Sequence, residues 1–508
     1  MNISKIQKNT TVIVGLISSI SLILGVLFDY LFYSKLPGVN FLIFIILIIS
    51  GLFVISYVLK KQIEKKVIWL LIPLLFFSTM IFIRTSSFLI FLNIVICLLL
   101  LLLIAKTLYG KKIEKFLIKD YIKAIFLPFR FISPLFQTLS KIFSSYKVSN
   151  NKKVLIQVLR GIVMAIPIIL IFILLFSSAD LIFQKYLSDL ITINIEIETF
   201  FRFALILIVT LIFIGAYSYI FQESKEKTDS KLEEKKHLIG KVESSVVFSS
   251  INILFFLFIL VQLTYLFGGE SNISVQGFTY AEYARRGFFE LISVAVFSLL
   301  LLLSFEKYVV RNGKMHTFGF KILSTLMIVQ VIVIMVSAFT RLLLYERAYG
   351  FTTLRLYSHS FIIVLAIIFV LLIYKIYIDR RERTFALRVF VLIVLSLIGM
   401  NFLNPDLFIA KQNIERFNST EKLDVYYLGS LSDDAIPEVV KLLDILDGDM
   451  KMSLSSELYW RTQRENESKD WQSFNISRIE AKKILESKEE ELEKYKDFQG
   501  YELEEQGL

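Results

Sequence analysis

A single cysteine, Cys97, in a chain of 508 residues excludes an intramolecular disulfide. Its place inside a long apolar run makes it a small apolar side chain rather than a reactive thiol. The three histidines, His237, His316 and His359, stand far apart with no cysteine or carboxylate at ligand spacing, so neither a metal site nor a cofactor is expected. Phosphate-binding glycine loops, HExxH pairs and GxSxG elbows are missing, which removes the enzyme classes whose mechanism is written in a short motif. The balance leans away from an enzyme. Charge is also scarce, at 20% of residues.

What fills the chain instead is hydrocarbon: 56% of residues are hydrophobic and 47 are phenylalanine. A water-soluble globule has too little polar surface to cover that mass. The apolar residues come in runs near the ~18-residue length that marks a membrane-spanning helix. Eleven such runs are predicted: Thr11–Phe32, Phe41–Val58, Val67–Ile83, Phe88–Tyr109, Ile156–Phe176, Phe201–Phe221, Val246–Phe267, Phe288–Phe305, Ile322–Leu344, Phe361–Ile378 and Phe385–Phe402. The third is the shortest and ends against Arg84. The fold expected is therefore all-α: a polytopic transmembrane helix bundle with a small helical module at its carboxyl end.

Lysine and arginine set the orientation. They crowd into every second connection: Lys5 and Lys8 at the start; Lys60, Lys61, Lys65 and Lys66; the stretch from Lys111 to Lys153; Lys225 to Lys241; Lys307, Arg311 and Lys314; Arg380, Arg381 and Arg383. The other connections are poor in positive charge or acidic, as at Asp180, Asp189, Glu196 and Glu198. The amino terminus is thus expected in the cytoplasm and the carboxyl terminus outside. No small-residue cleavage site follows the first span, which reads as an uncleaved anchor.

The net charge of +11 divides unevenly, because from Pro405 onward 14 basic residues face 24 acidic ones. The basic excess of the membrane part lies in loops facing anionic lipid, so membrane lipids are expected partners and nucleic acid is not. Six segments follow: four spans over 1–110, a basic segment over 111–153, two spans over 154–221, a charged linker over 222–245, five spans over 246–404, and an acidic helical module over 405–508. Within the second, Lys111–Phe143 mixes Phe, Leu and Ile with Lys at helical spacing, broken by Pro128 and Pro134. It is expected to lie in the interface, lysines toward headgroups.

Two charged stretches interrupt the apolar pattern of the last five spans. In YAEYARRGFFEL, Tyr280–Leu291, the residues Glu282, Arg286 and Glu290 lie four apart and form a ladder on one helical face, leaving Arg285 free to face elsewhere. The second, TRLLLYERAYGFTTLRLYSH, runs from Thr340 to His359 and contains Arg341, Glu346, Arg347, Arg355 and His359, with Gly350–Thr353 as its turn. A 63-residue offset between their Gly-Phe pairs hints at a duplicated helix pair. Asp29, Arg84, Asp180 and Arg202 fall at the same predicted level. Any one of these charges reads as a helix-end salt bridge. Together they predict an outward-facing polar recess whose arginines suit an anionic ligand.

The tail opens with NPDLFIAKQNIERF, where Asn404 is expected to cap, Pro405 to take the first helical position and Asp406 to complement the helix dipole. A short helix in LDVYYLGS, a Ser432-Asp433-Asp434 start and an apolar stripe through Val439, Val440, Leu442, Leu443 and Leu446 follow. Two further helices complete the module, with Trp460 and Trp471 expected to fill its core.

YAEYARRGFFEL, LYERAYGFTTLRLYSH, NPDLFIAKQNIER and LDVYYLGSLSDDAIP together resemble an uncharacterised family of bacterial multispanning membrane proteins, known only as a domain of unknown function. The resemblance runs from about Val246 to Trp471. It implies a bacterial plasma-membrane location and no catalytic residues. Three classes of function stay open: binding or transport of an anionic solute or lipid headgroup in the recess; a sensor or scaffold whose outer module binds a protein partner; and a membrane-embedded transferase using Glu290 or His359 as base.

Overall fold

The computed structural model describes residues 3–108, 113–144, 197–222, 240–266, 288–308, 314–378, 381–465 and 470–498, with isolated positions between 161 and 185. The predicted fifth span, most of the charged linker, and the ladder residues Glu282, Arg285 and Arg286 lie outside the described residues. Every regular element among the described residues is helical. The protein is an all-α, membrane-embedded bundle. Nine described helices are long and apolar enough to cross a bilayer.

The membrane helices are α1 (Ile3–Phe32), α2 (Val39–Val58), α3 (Ile68–Ile83) and α4 (Ser87–Thr107). A basic segment follows as α5 (Ile118–Ile125), α6 (Leu127–Arg130) and α7 (Ile132–Ser144). Then come α8 (Ile197–Gln222), α9 (Lys241–Leu266), α10 (Phe288–Tyr308), α11 (Lys314–Tyr349), α12 (Thr353–Tyr377) and α13 (Glu382–Leu403). These helices match ten of the eleven predicted spans. The short third run is α3, a 16-residue helix with Pro73 inside it. Its carbonyl end meets the module, where Asn475 and Ser477 donate to the Ile81 and Ile83 carbonyls.

Contacts at the helix ends establish two faces. Loops α1–α2, α3–α4 and α11–α12 and the end of α13 all meet the C-terminal module. At the other face Lys61 Nζ donates to the Phe221 carbonyl (2.8 Å), Thr138 and Ser218 share a hydrogen bond (2.7 Å), and Lys375 pairs with Glu306 (2.8 Å). Helix α4 ends on that opposite face and α8 starts at the module face, where Arg202 pairs with Asp29 (2.8 Å).

Two apolar clusters fill the membrane part. One joins α1–α4, α8 and the basic segment around Leu74, Phe77, Leu100 and Tyr217; the other joins α9–α12 around Phe248, Ile328, Val331 and Phe369. Helix α13 lies between them, giving Val394 to the first and Phe385 to the second. In the basic segment, breaks fall at Phe126 and Phe131 rather than at the prolines. Pro128 and Pro134 sit in the first turns of α6 and α7, where a missing N–H leaves no bond unmade. Ala124, Leu127 and Phe131 are buried against the bundle while Ile122, Ile125, Phe126 and Phe129 face outward.

The module comprises α14 (Pro405–Thr420), α15 (Val425–Ser430), α16 (Ile436–Val439), α17 (Gly448–Glu465), α18 (Ile476–Ser487) and α19 (Glu489–Glu493). Its core is the predicted stripe Val439, Val440, Leu442, Leu443 and Leu446 packed on Leu454, Leu458, Ala481 and Leu485. Each such side chain removed from water contributes roughly 1.5–3 kcal/mol. The stripe is not one helix. After α16 it tightens into a 3-10 run, Val440–Asp444, which lets near-consecutive apolar residues all face inward.

Two expectations for the tail are corrected. Asn404 makes no side-chain cap; it takes a left-handed conformation (φ 53°) that ends α13 and starts α14 at one residue. Trp460 and Trp471 are not core residues, since each is 53% exposed. Trp460 spans the α17 surface to donate to the Lys496 carbonyl (3.2 Å), and Trp471 stands 6.4 Å from the Tyr30 ring at the rim of the helix ends. Both are aromatic bodies with a polar tip, and such residues collect at membrane–water boundaries as readily as in cores.

Candidate functional site

The charged stretch Thr340–His359 is built by α11, a tight turn and α12. Gly350 forms the turn with φ +84°, a conformation a side chain would strain, and an added Cβ would meet Asn413 Oδ1 at 2.6 Å. Asn413 on α14 grips the turn from both sides of one residue. Its Oδ1 accepts from Phe351 N (2.7 Å) and its Nδ2 donates to Phe351 O (2.8 Å). Arg416, one turn further, donates to the Arg347 and Ala348 carbonyls (3.1 and 2.7 Å), satisfying the last turn of α11. Tyr427 Oη accepts from Thr353 N at the start of α12 (2.8 Å). The sequence motifs GFTT, NIER and DVYY therefore meet in space.

Within this frame Glu346 and His359 form a buried pair. His359 Nε2 lies 3.0 Å from Glu346 Oε2, and the two residues are 8% and 1% exposed. Phe339 closes the ring's other side, with centroids 4.3 Å apart. The remaining atoms, Glu346 Oε1 and His359 Nδ1, are buried and make no hydrogen bond among the described residues. A half-satisfied polar pair in apolar surroundings is costly and readily accepts a further partner. Arg355, one turn before His359, lies 4.1 Å from the Tyr345 ring centroid and donates to the Gly350 carbonyl. Arg341, about a turn and a half deeper on α11, is buried and donates from Nη2 to Gln262 Oε1 on α9 (3.0 Å), which also accepts from Ser337 Oγ (2.5 Å).

Of the predicted site residues the structure joins Glu346 and His359 across α11 and α12, while Arg341 turns to Gln262 on α9 and Arg355 to Tyr345 and the Gly350 carbonyl. It leaves Arg347 exposed on the outer side of α11, and Glu290 exposed in the first turn of α10. Asp29 and Arg202 pair with each other, while Asp180 is exposed.

A second constellation was not anticipated. Asp434, in the module, is buried against the α3–α4 loop and accepts from Thr85 N (2.8 Å), Ser86 N (3.1 Å), Ser432 Oγ (3.4 Å) and Ser477 Oγ (2.6 Å), with Arg84 Nη1 at 3.8 Å. Beside it Asn475 Nδ2 donates to the Ile81 and Arg84 carbonyls (3.1 and 2.9 Å), and Val39 N donates to Phe474 O (2.9 Å). These bonds cap the α1–α2 and α3–α4 loops with module residues. Gln262, Asn93 and Asn401 were also missed; the last two exchange amide hydrogen bonds of 2.8 and 2.9 Å. Each had one available signal, a carboxamide inside an apolar run.

Asp406, at the start of α14, has its carboxyl raised above the ordinary 3.8, chiefly by burial; hydrogen bonds from Ser432 pull the other way. The folded protein therefore holds this proton more tightly than the unfolded chain. That contribution to stability is complete below about pH 3.8 and is lost as pH rises through the higher folded value. Asp406→Asn should remove this term and flatten the fall in melting temperature between acid and neutral pH. Thermal melts of the detergent-solubilised variant across that range give the measurement, and an unaltered slope would contradict the assignment.

The family described as "Domain of unknown function (DUF4153)" matches residues 71–442, from α3 into the 3-10 run Val440–Asp444. The match begins far earlier than the motifs from Val246 onward suggest, and stops short of Trp471. No curated protein and no solved structure matches the chain.

Proposed function

This chain belongs to the DUF4153 family and is a multispanning membrane protein, and from that premise we propose that it binds or moves an anionic solute or lipid headgroup at its module face. The observation carrying this reading is the buried Glu346–His359 pair at the module-side ends of α11 and α12, with buried Arg341 and half-buried Arg355 on the same two helix ends. Guanidinium groups supply the charge an anion needs. Glu346 Oε1 and His359 Nδ1 add an acceptor and a ring nitrogen not committed elsewhere among the described residues. The lysine-rich connections at the face opposite the module support a bacterial plasma-membrane orientation with the amino terminus in the cytoplasm and the module outside.

Native mass spectrometry of the purified protein, with phosphatidylglycerol or cardiolipin added, tests the reading. The wild type should retain the anionic lipid. Arg341→Gln should retain at least about ten-fold less, since a charged hydrogen bond contributes about 1.5–3 kcal/mol. Retention of neutral lipid only, or equal retention by both proteins, would refute it. A scaffold role with a protein partner at the module is the second reading, favoured by the way Asp434 and Asn475 lock the module to the helix ends. Under it, partner binding should persist in Arg341→Gln.

A further inference from the structure

One edge of the C-terminal module is built inside out. In WQSFNI, Trp471–Ile476, the polar side chains are the buried ones: Gln472, Ser473 and Asn475 are 6%, 6% and 1% exposed, against 53%, 45% and 43% for Trp471, Phe474 and Ile476. A domain surrounded by water shows the opposite preference. The buried set is held by the ends of the membrane helices. Gln472 Nε2 donates to the Tyr30 carbonyl (3.5 Å), Ser473 Oγ accepts from Leu36 N (3.0 Å), and Asn475 Nδ2 donates to the Ile81 and Arg84 carbonyls. With the backbone bond from Val39 N to Phe474 O, these contacts lay the run across the end of α1, the start of α2 and the end of α3.

The helices beneath this run identify the medium outside it. On α1, Leu22, Val26 and Tyr30 stand four apart and exposed, a single stripe that faces lipid in a membrane-embedded helix. Trp471 stands beside the last of them, with ring centroids 6.4 Å apart. On α3 the exposed residues are Ile68, Ile72 and Leu75. Phe82 continues that face about two turns beyond Leu75, and its ring centroid is 6.4 Å from that of Phe474. Both helices pack on α2, so two neighbouring lipid-facing stripes each end against an aromatic ring of the module. Depth agrees with this placement. The apolar stretch Val12–Phe32 has 21 residues, about 31 Å at 1.5 Å per residue, which matches the hydrocarbon layer of about 30 Å. Tyr30, and Trp471 beside it, therefore stand at the boundary of that layer, where the amphipathic rings of Tyr and Trp concentrate. WQSFNI carries no charge, and the adjoining Asp470 is paired with Lys35.

We propose that Trp471–Ile476 is a lipid-binding edge, which seats the C-terminal module in the bilayer leaflet on its own side. The occupant is phospholipid of the surrounding membrane, met at the boundary between acyl chains and headgroups, with Trp471 and Phe474 extending the lipid-facing stripes of α1 and α3. This surface is separate from the Glu346–His359 pair and does not depend on the anion reading. It is tied to the rest of the protein through Asn475, which stands between Phe474 and Ile476 and holds the α3–α4 loop that Asp434 also caps. The leaflet thus bears on the same joint that fixes the module to the bundle.

Because the chain has only three tryptophans, fluorescence tests the edge directly. Trp69→Phe with Trp460→Phe leaves Trp471 as the single emitter in the full-length protein, reconstituted in phosphatidylcholine vesicles. Phosphatidylcholine brominated near the headgroup end of its acyl chains should lower the emission about two-fold or more, and bromine near the methyl ends should lower it less, as an indole at the interface requires. Phe474→Trp, in a protein with all three native tryptophans changed to phenylalanine, should respond in the same way, so the result does not rest on one ring. Emission indifferent to brominated lipid but quenched by aqueous iodide places the edge in water and overturns the proposal. Emission indifferent to both quenchers means that protein covers the edge, a second copy of the chain included, and overturns it as well.

Discussion

Asp434→Ala should release the C-terminal module from the helix ends and destabilise the whole protein. The carboxylate accepts from two backbone N–H groups and two hydroxyls and faces Arg84, all within a buried joint. Alanine leaves Thr85 N and Ser86 N without an acceptor, and removes the countercharge of Arg84; the Ser477 hydroxyl keeps the Ile83 carbonyl. Each buried unsatisfied donor costs about 1–3 kcal/mol, and breaking a buried charged contact costs about 3–5 kcal/mol. The measurement is a melting curve in detergent followed by limited proteolysis. The variant should melt well below the wild type and be cut between α13 and α17 at temperatures where the native protein resists. Asn475→Ala, which frees the Ile81 and Arg84 carbonyls, should move both readouts the same way by less. A module that stays protease-resistant in both variants would sink the idea that these side chains hold it.

For the buried pair, the informative result is that two substitutions do less harm than one. Glu346→Leu leaves His359 Nε2 facing hydrocarbon, and His359→Leu leaves a carboxylate with neither of its oxygens bonded among the described residues. Each single change should cost about 3 kcal/mol or more, with the carboxylate the worse group to strand. Glu346→Leu with His359→Leu together removes both polar groups and should be milder than His359→Leu alone, a coupling of about 1–3 kcal/mol. Anionic-lipid retention separates fold from function: the double variant should be stable and yet bind less. A double variant whose loss is the simple sum of the singles would mean the two side chains act independently despite the 3.0 Å contact.

These expectations differ in how early they were visible. The membrane helices were legible because an apolar run of about twenty residues has one low-energy solution in a bilayer, a helix with its backbone bonds closed on themselves. Even α3 was legible, although Pro73 and a length of 16 residues leave it at the margin. Glu346 and His359 were readable as neighbours because only thirteen residues and one glycine turn separate them. Asp434 was not, since its partners stand 348 and 349 positions away and no local pattern marks a side chain that caps a distant loop. Gln262 and Asn252 pair at separations of about seventy to eighty residues between helices whose parallel alignment is a product of packing. The tryptophans misled for a different reason. Composition favours an interior for a large aromatic ring, whereas the actual position of Trp471 follows from where the bundle ends beside Tyr30.

Asn404 is the whole of the joint between α13 and α14: one left-handed residue, with the N–H of Asn404 on the Met400 carbonyl and the N–H of Phe408 on the Asn404 carbonyl. No slack chain intervenes. Helix α13 and the module are consequently one lever with its fulcrum at the membrane boundary, and a force applied to the module is transmitted as torque to a shaft that touches both apolar clusters of the bundle.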